Sequence, residues 1–264
     1  MLDIKGAVAV ITGGGSGIGE SIAKYWVQQG GKVVLGDIVP AGLDRVEGEI
    51  KEMGGQVATI KVDVTDENDS AALARLAIDT FGAINLVVPC AGIIKDGLFL
   101  APDRETGKIK GKMSLEQFQA VLNINVTGVF LTIRECGEQM INHDCSGLIC
   151  LISSTGSLGT AGQINYSSTK AAMSVMPKVI TAEFFRKKLS HKIRCVAVAP
   201  GYVGTEMVKG MNQKALDRII ENVPINRLIE PEEVASLIGE LYRNEAINGD
   251  TYFIHGGLRL GSKG

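Results

Sequence analysis

The chain has 264 residues, 45% hydrophobic and 21% charged, with a formal net charge of −2, a composition that suits a globular protein with a sizeable core and gives no global field for nucleic acid or an anionic membrane. Five cysteines without a C-x-x-C pair and three unclustered histidines point to buried thiols in a reducing compartment and to no metal site. No apolar run reaches membrane-spanning length and no charged-then-apolar leader opens the chain, so a soluble, cytoplasmic protein is expected.

Residues 7–11 are a short β-branched run that predicts a strand. It flows into Thr12-Gly13-Gly14-Gly15-Ser16-Gly17-Ile18-Gly19 and then a helical segment over 20–29. Strand, glycine turn and helix in that order is the context of a phosphate-binding turn. The glycines allow the tight turn and let backbone N–H groups approach a pyrophosphate at the helix's positive end. A second strand over 32–36 ends at Asp37, about 20 residues past the glycines, where an acid would hold adenosine ribose hydroxyls. That carboxylate would repel a 2′-phosphate, and Ser16 offers no cation to one, which favours NAD over NADP. Asp37 can also brace the helix that starts near Pro40.

The alternation continues with a helix over 41–53, a strand over 57–62 ending at Asp63-Val64-Thr65, a helix over 67–81 capped by Thr65 or Asp66, and a strand over 86–88 leading into Pro89-Cys90-Ala91-Gly92. Apolar strands alternating with amphipathic helices predict an α/β fold, a doubly wound parallel sheet with helices on both faces and right-handed crossovers. No repeat or linker divides the chain, so 1–264 reads as a single domain. After Gly92 the rhythm stalls at an inserted hairpin, about 95–112, with its turn near 105–107. Lys108, Lys110 and Lys112 alternate there and would share one face of an extended strand. They are either a solvated edge guarded by lysines or a face for the phosphates of a coenzyme A thioester. Ser114 and Gln117 mark the next helix start, and that helix runs over 115–143 with Asn123, Asn125 and Gly128 inside it. A polar Asn in so apolar a stretch needs a partner; it bonds a neighbouring helix or faces the chemistry.

The strand over 148–152 ends at Ser153, and the helix that follows the next loop carries Tyr166 and Lys170 four residues apart on one face. A phenol near pKa ~10 is a poor base at neutral pH, and a neighbouring ammonium lowers it. With Ser153 holding a substrate oxygen, this is acid–base chemistry on a carbinol or carbonyl. The strand over 193–199 ends at Pro200-Gly201, which puts 202–205 at a strand's carboxyl end, where open α/β sheets bind ligands. The segment about 202–222 is expected to act as a lid. Pro231 with Glu232 and Glu233 opens the last helix, and 251–254 is the last strand.

With these pieces placed, residues 5–260 resemble a short-chain dehydrogenase/reductase. The stretch from Thr12 to Gly19 is similar to the family's TGxxxGxG turn, Asp37 to its NAD-selecting acid, and Asp63-Val64 to the pair that reads adenine. Asn125-Val126-Thr127-Gly128 is similar to the helix motif whose Asn completes the active tetrad. Ser153, Tyr166 and Lys170 are similar to the catalytic Ser and YxxxK, and Pro200-Gly201 with Thr205 to the PGxxxT stretch. Residues 159–166 are especially like β-ketoacyl thioester reductases and 3-hydroxyacyl-CoA dehydrogenases. The resemblance implies a Rossmann-type domain binding NAD through Gly13, Ser16, Gly17, Ile18, Gly19, Asp37, Asp63, Val64, Cys90, Ala91, Gly92, Tyr166, Lys170, Pro200, Gly201, Val203 and Thr205. It implies Tyr166 as acid/base, Lys170 as the group that lowers its pKa and grips the nicotinamide ribose, Ser153 as the orienter of the substrate oxygen and Asn125 as the holder of a relay water. It also implies a homotetramer.

Three departures stand out: Pro89-Cys90 where the family commonly has two Asn, His255 where many relatives have Asp, and the longer hairpin. The implied function is NAD-dependent interconversion of a secondary alcohol and a ketone by hydride transfer, on a 3-hydroxyacyl-CoA or a cyclic or steroid-like alcohol. One alternative is an NADP-dependent 3-oxoacyl thioester reductase, which Asp37 and Ser16 oppose. The other is a catalytically silent relative, which the complete tetrad opposes.

Overall fold

In strand β1 (Val8–Thr12) successive side chains leave the sheet on opposite faces. Val8 and Val10 join a core with Leu73, Ala77, Met140 and Met173, whereas Ala9 and Ile11 join a second core with Trp26, Val46 and Ile238. This division repeats along the sheet and builds three layers. In the computed structural model, which describes residues 1–210 and 212–258, the first half runs β1, α1 (Gly17–Gln28), β2 (Lys32–Asp37), α2 (Pro40–Glu52), β3 (Gln56–Lys61), α3 (Glu67–Phe81) and β4 (Leu86–Pro89). A two-stranded hairpin follows, β5 (Leu100–Pro102) with β6 (Ile109–Lys112). The second half contains α4 (Leu115–Leu122), α5 (Val129–Asn142), β7 (Gly147–Ile152), α6 (Ile164–Arg186), β8 (Ile193–Pro200), α7 (Glu206–Lys209), α8 (Gln213–Glu221), α9 (Pro231–Arg243) and β9 (Thr251–Ile254). The last six residues of the expected 1–264 domain, and Met211 within the expected lid, lie outside the described residues.

The main sheet has seven parallel strands in the order β3-β2-β1-β4-β7-β8-β9. This is the predicted doubly wound, Rossmann-type sheet. The order reverses between β1 and β4, so the loops after those strands diverge and leave a crevice at the sheet's carboxyl edge.

The expected 115–143 helix is interrupted. Between α4 and α5 the backbone widens into a π-helical turn over Asn123–Gly128. Such a turn inserts an extra residue and re-aims the side chains around it. It brings Gly128 so close to the β3–α3 loop that a Cβ there would sit 2.7 Å from Val64 Cγ2. The hairpin lysines also depart from expectation. Lys108 precedes β6, leaving Lys110 and Lys112 on the strand, and Lys110 pairs with Asp103 at 3.5 Å.

A buried cation holds the far side of the sheet. Arg194 in β8 is 4% exposed, and its guanidinium donates to the carbonyls of Leu241, Tyr242, Asn244 and Ile247 at 2.6–3.0 Å. These carbonyls lie at the end of α9 and in the turn beyond it, where helix acceptors lose their own partners, and a planar fork reaches them as a lysine could not. Arg194→Met should therefore lower unfolding stability by roughly 3 kcal/mol, since it takes this donor from the buried Leu241 and Tyr242 carbonyls. Chemical denaturation measures this, and a loss under about 1 kcal/mol would contradict it.

Candidate active site

The glycine turn after β1 is shaped by close approach. Gly13 has φ +66°, and a Cβ on it would lie 2.8 Å from the Ala91 nitrogen; one on Gly19 would lie 2.2 Å from the Gly13 carbonyl. Ser16 precedes α1 without a side-chain cap, leaving first-turn N–H groups of that helix directed at the crevice. Asp37, at the end of β2, accepts from Gly15 N at 3.0 Å through one oxygen and from Val39 N at 3.0 Å through the other. One carboxylate thus braces both the glycine turn and the entry to α2.

A cleft of about 490 Å³ runs past Gly13, Ser16, Asp37, Asp63, Val64 and Ala91. A second, about 300 Å³, holds Ser153, Ser154, Tyr166, Lys170, Pro200, Gly201 and Val203. Both are lined by Ile18, Cys90, Gly92, Ile93 and Thr205, so the two are continuous. The predicted binding residues are thereby brought to one crevice. Asp63 spends one oxygen on its own turn, accepting from Thr65 N at 2.9 Å and Thr65 Oγ1 at 2.7 Å, which holds its carboxyl below the usual range.

Sequence reasoning missed Arg45. Among the described residues lining the first cleft it carries the positive charge. It is not free: it bonds Glu20 at 2.5 and 2.9 Å, Glu49 at 2.8 Å and the Gly15 carbonyl at 3.1 Å. The signal was a helix-face pattern, Arg45 four residues before Glu49, whose reach to Glu20 depends on how α2 packs against α1.

At the catalytic end, Tyr166 and Lys170 lie one turn apart on α6, with the ammonium 5.5 Å from the ring centre. Lys170 is 8% exposed and donates to the Ile152 carbonyl at 2.9 Å. Burial drives its pKa down to about 8. The phenol is not lowered as expected. Burial pushes Tyr166 up, a hydrogen bond with the Ser154 side chain works against that, and the charges of Asp96 and Cys90 add to the rise. The ammonium is bonded to Ile152 O and stands 5.5 Å from the ring centre.

The serine next to the phenol also differs from expectation. Ser153, 2% exposed, donates to the Lys170 carbonyl at 2.8 Å and meets Ser174 Oγ at 2.9 Å. Alternation explains this: Leu151 packs on the face that carries α6, so Ser153, two residues on, points the same way into that helix. Ser154, the next residue, reaches the cleft beside Tyr166.

Asn125 is fully buried in the π-helical turn. Its amide oxygen accepts from Ile93 N at 2.8 Å and its nitrogen donates to Ile93 O at 2.9 Å, with Thr169 Oγ1 at 3.4 Å. It binds the loop after β4 rather than a neighbouring helix alone. In that loop Cys90 N donates to the Thr12 carbonyl at 3.2 Å, so backbone bonds serve where an Asn side chain is lacking, and burial pushes the Cys90 thiol up to about 11. His255 is half-buried, its Nδ1 accepting from Gly257 N at 3.1 Å.

Comparison with known proteins agrees with this geometry. A family model described as short chain dehydrogenase matches residues 7–216. The chain is 35% identical over 266 residues to a 3-hydroxyacyl-CoA dehydrogenase type-2 of Drosophila melanogaster, covering 97% of this chain and 99% of the relative. It is 31% identical to a 3-oxoacyl-(acyl-carrier-protein) reductase of Thermotoga maritima, covering 97% and 98%. A solved short-chain dehydrogenase/reductase from Brucella melitensis, described as SDR:Glucose/ribitol dehydrogenase, shares 27% identity and a TM-score of 0.83 over 96% of this chain and 97% of its own.

The buried ammonium makes a stability prediction. Lys170 titrates near 8 when folded against a model value of 10.5, so the folded state holds the proton less well than the unfolded chain. That penalty is complete below about pH 8, shrinks as pH rises towards 10.5 and is absent above it. Lys170→Met should therefore raise stability near pH 7 by about 1–3 kcal/mol, the lower figure allowing for the Ile152 carbonyl left unpaired. Melting curves at pH 7 and pH 9.5 should show the gain shrinking; a gain that grows with pH would contradict the assignment.

Proposed function

The chain belongs to the short-chain dehydrogenase family, and from that premise we propose that it is an NAD-linked oxidoreductase interconverting a 3-hydroxyacyl thioester and its 3-oxo form. The single observation that carries the reading is the continuity of the two clefts, one ending on Asp37 and the glycine turn, the other on Tyr166, Ser154 and Lys170. A nicotinamide dinucleotide fits these residues. The Gly13–Ala91 contact leaves space that a Cβ would fill, the start of α1 has uncapped N–H donors for a pyrophosphate, and Asp37 stands where adenosine ribose hydroxyls would lie. The bound nicotinamide supplies the hydride acceptor or donor.

Everything else falls to the chain's own side chains. Tyr166, with its pKa raised, keeps its proton at neutral pH and so is poised as the acid a ketone oxygen needs. Oxidation of the alcohol then requires the phenolate and is favoured by higher pH. Ser154 shares the phenol's hydrogen bond and is the serine that would hold the substrate oxygen, while Ser153 anchors α6. Asn125, by clamping Ile93, holds the loop that forms the wall between the clefts. The thioester class is supported by the two relatives named above, both acting by name on acyl thioesters.

NAD is favoured over NADP because the adenosine end presents Asp37 and an arginine already bound to Glu20, Glu49 and Gly15. One sheet carrying both clefts supports a single domain, and five free cysteines support a reducing, cytoplasmic setting. No described helix is long and apolar enough to cross a membrane. A homotetramer, or at least a dimer, is supported by exposed Phe130 and Ile141 on α5 and Val175, Val179 and Phe185 on α6, which light scattering of the purified protein tests.

Two assays check the reading. With 3-hydroxybutyryl-CoA, NADH formation at 340 nm should exceed NADPH formation by at least about tenfold in kcat/KM, and Asp37→Ala should narrow the gap; equal use of both cofactors would overturn the NAD assignment. Tyr166→Phe should lose about 10²–10⁴ in kcat, and Ser154→Ala should cost more than Ser153→Ala. A larger kcat loss in the Ser153 variant, with its melting point unchanged, would return the substrate-holding role to Ser153.

A further inference from the structure

The segment after Ile93 is stitched to the start of α6 by a set of polar contacts that the proposed reaction does not use. Gly97 N donates to the Gly162 carbonyl at 2.8 Å, and Asn165 Nδ2 donates to the Lys95 carbonyl at 2.8 Å. Gln117, from α4, donates to the Lys95 and Asp96 carbonyls at 3.0 and 2.9 Å. At the centre, Asp96 Oδ2 accepts from Gln163 Nε2 at 2.9 Å. Gln163 is the N-cap residue of α6, three positions before Tyr166, and its own side chain caps nothing. It also lines the cleft that holds Tyr166 and Lys170. A carboxylate at this point meets the positive end of a 23-residue helix, where negative charge is favourable.

Resting on the oxidoreductase reading above, we propose that Asp96 is a positioning residue: through Gln163 it fixes the start of α6 and the substrate-facing wall of the catalytic cleft. Its charge has a second effect. Tyr166 is faced by Lys170 from its own helix, by Cys90 from the loop after β4, by the Ser154 hydroxyl from the loop after β7, and by Asp96. Among these, Asp96 is the carboxylate, and it favours the protonated phenol. It therefore helps keep Tyr166 an acid. Because Asp96 is exposed, salt should weaken this effect.

Two variants separate hydrogen bond from charge. Asp96→Asn keeps an oxygen that can accept from Gln163 and removes the charge; Asp96→Ala removes both. The parent protein is first assayed for NADH formation with 3-hydroxybutyryl-CoA, and absence of turnover there would count against the function rather than against Asp96. The tyrosinate absorbance near 295 nm, taken as the difference between each protein and the same protein carrying Tyr166→Phe, reads the phenol without any cofactor. Asp96→Asn should move that titration to lower pH, and 1 M salt should move the parent in the same direction. The rise of kcat with pH for alcohol oxidation should follow. Asp96→Ala should show the same displacement and, in addition, raise the KM for the acyl-CoA about tenfold, whereas Asp96→Asn should restore most of that loss. An unmoved phenol titration in Asp96→Asn, or an unchanged KM in a folded Asp96→Ala, would make Asp96 a solvated surface acid and overturn the proposal.

Discussion

A buried ammonium ties the catalytic helix to the sheet. Lys170 reaches Ile152 O at 2.9 Å with its side chain, and its own carbonyl accepts from Ser153, the next residue of the same strand end, at 2.8 Å. Sliding α6 along β7 would break both contacts at once and leave a charge unpaired away from water. Tyr166, one turn earlier, inherits that fixed position. The lowered pKa of Lys170 is the cost of the arrangement, and a protein selected for stability alone would place a hydrocarbon there.

The other wall of the site rests on side-chain amides. Asn125 pairs with both polar groups of the Ile93 backbone, Asn165 holds Lys95, and Gln117 holds Lys95 and Asp96. An amide presents donor and acceptor together, so it can substitute for a missing β-partner along an irregular loop. The π-helical turn has its reason here: the extra residue lets Asn125 face the loop while Gly128 lets the same helix approach Val64. Ile93, Lys95 and Asp96 thereby have backbone groups paired as in a strand, without belonging to one.

Much of this was legible in the sequence because it is periodic. The strands and the helices α1 to α3 follow from apolar runs, turn glycines and caps; Asp66, for one, does cap α3, accepting from Asn68 N at 2.7 Å. The glycine turn, Asp37, Tyr166 and Lys170 could be picked out because each sits at a strand end or at helical spacing, and all of them line the one crevice. What escaped depends on distances between elements. No pattern announces the π-helical turn, and the choice between Ser153 and Ser154 turns on one residue of strand alternation at the point where the strand stops. The phenol's upward shift was missed because charge was weighed without burial, and burial is the larger effect on Tyr166.

The charges lining the crevice give it a direction. Glu20, Asp37, Asp63 and Glu206 border the first cleft, with Arg45 held by Glu20 and Glu49, while Lys170 borders the second. On the proposed reading, an acid beside the adenosine end would accept hydroxyl hydrogens and oppose a further phosphate. On that reading, the charge of a bound pyrophosphate would be met midway by the N–H groups that open α1, which need no counter-ion. Arg45 is suited to hold Glu20 rather than a ligand: Glu20 lies in the first turn of α1, close to where that pyrophosphate would rest, and an unpaired carboxylate there would repel it. Pairing with Arg45 is the largest influence on the Glu20 carboxyl and keeps it ionised yet neutralised. On the proposed NAD reading, Arg45 would thus serve the same selectivity as Asp37, by removing one repulsion from a bound pyrophosphate and offering no vacant cation to a 2′-phosphate.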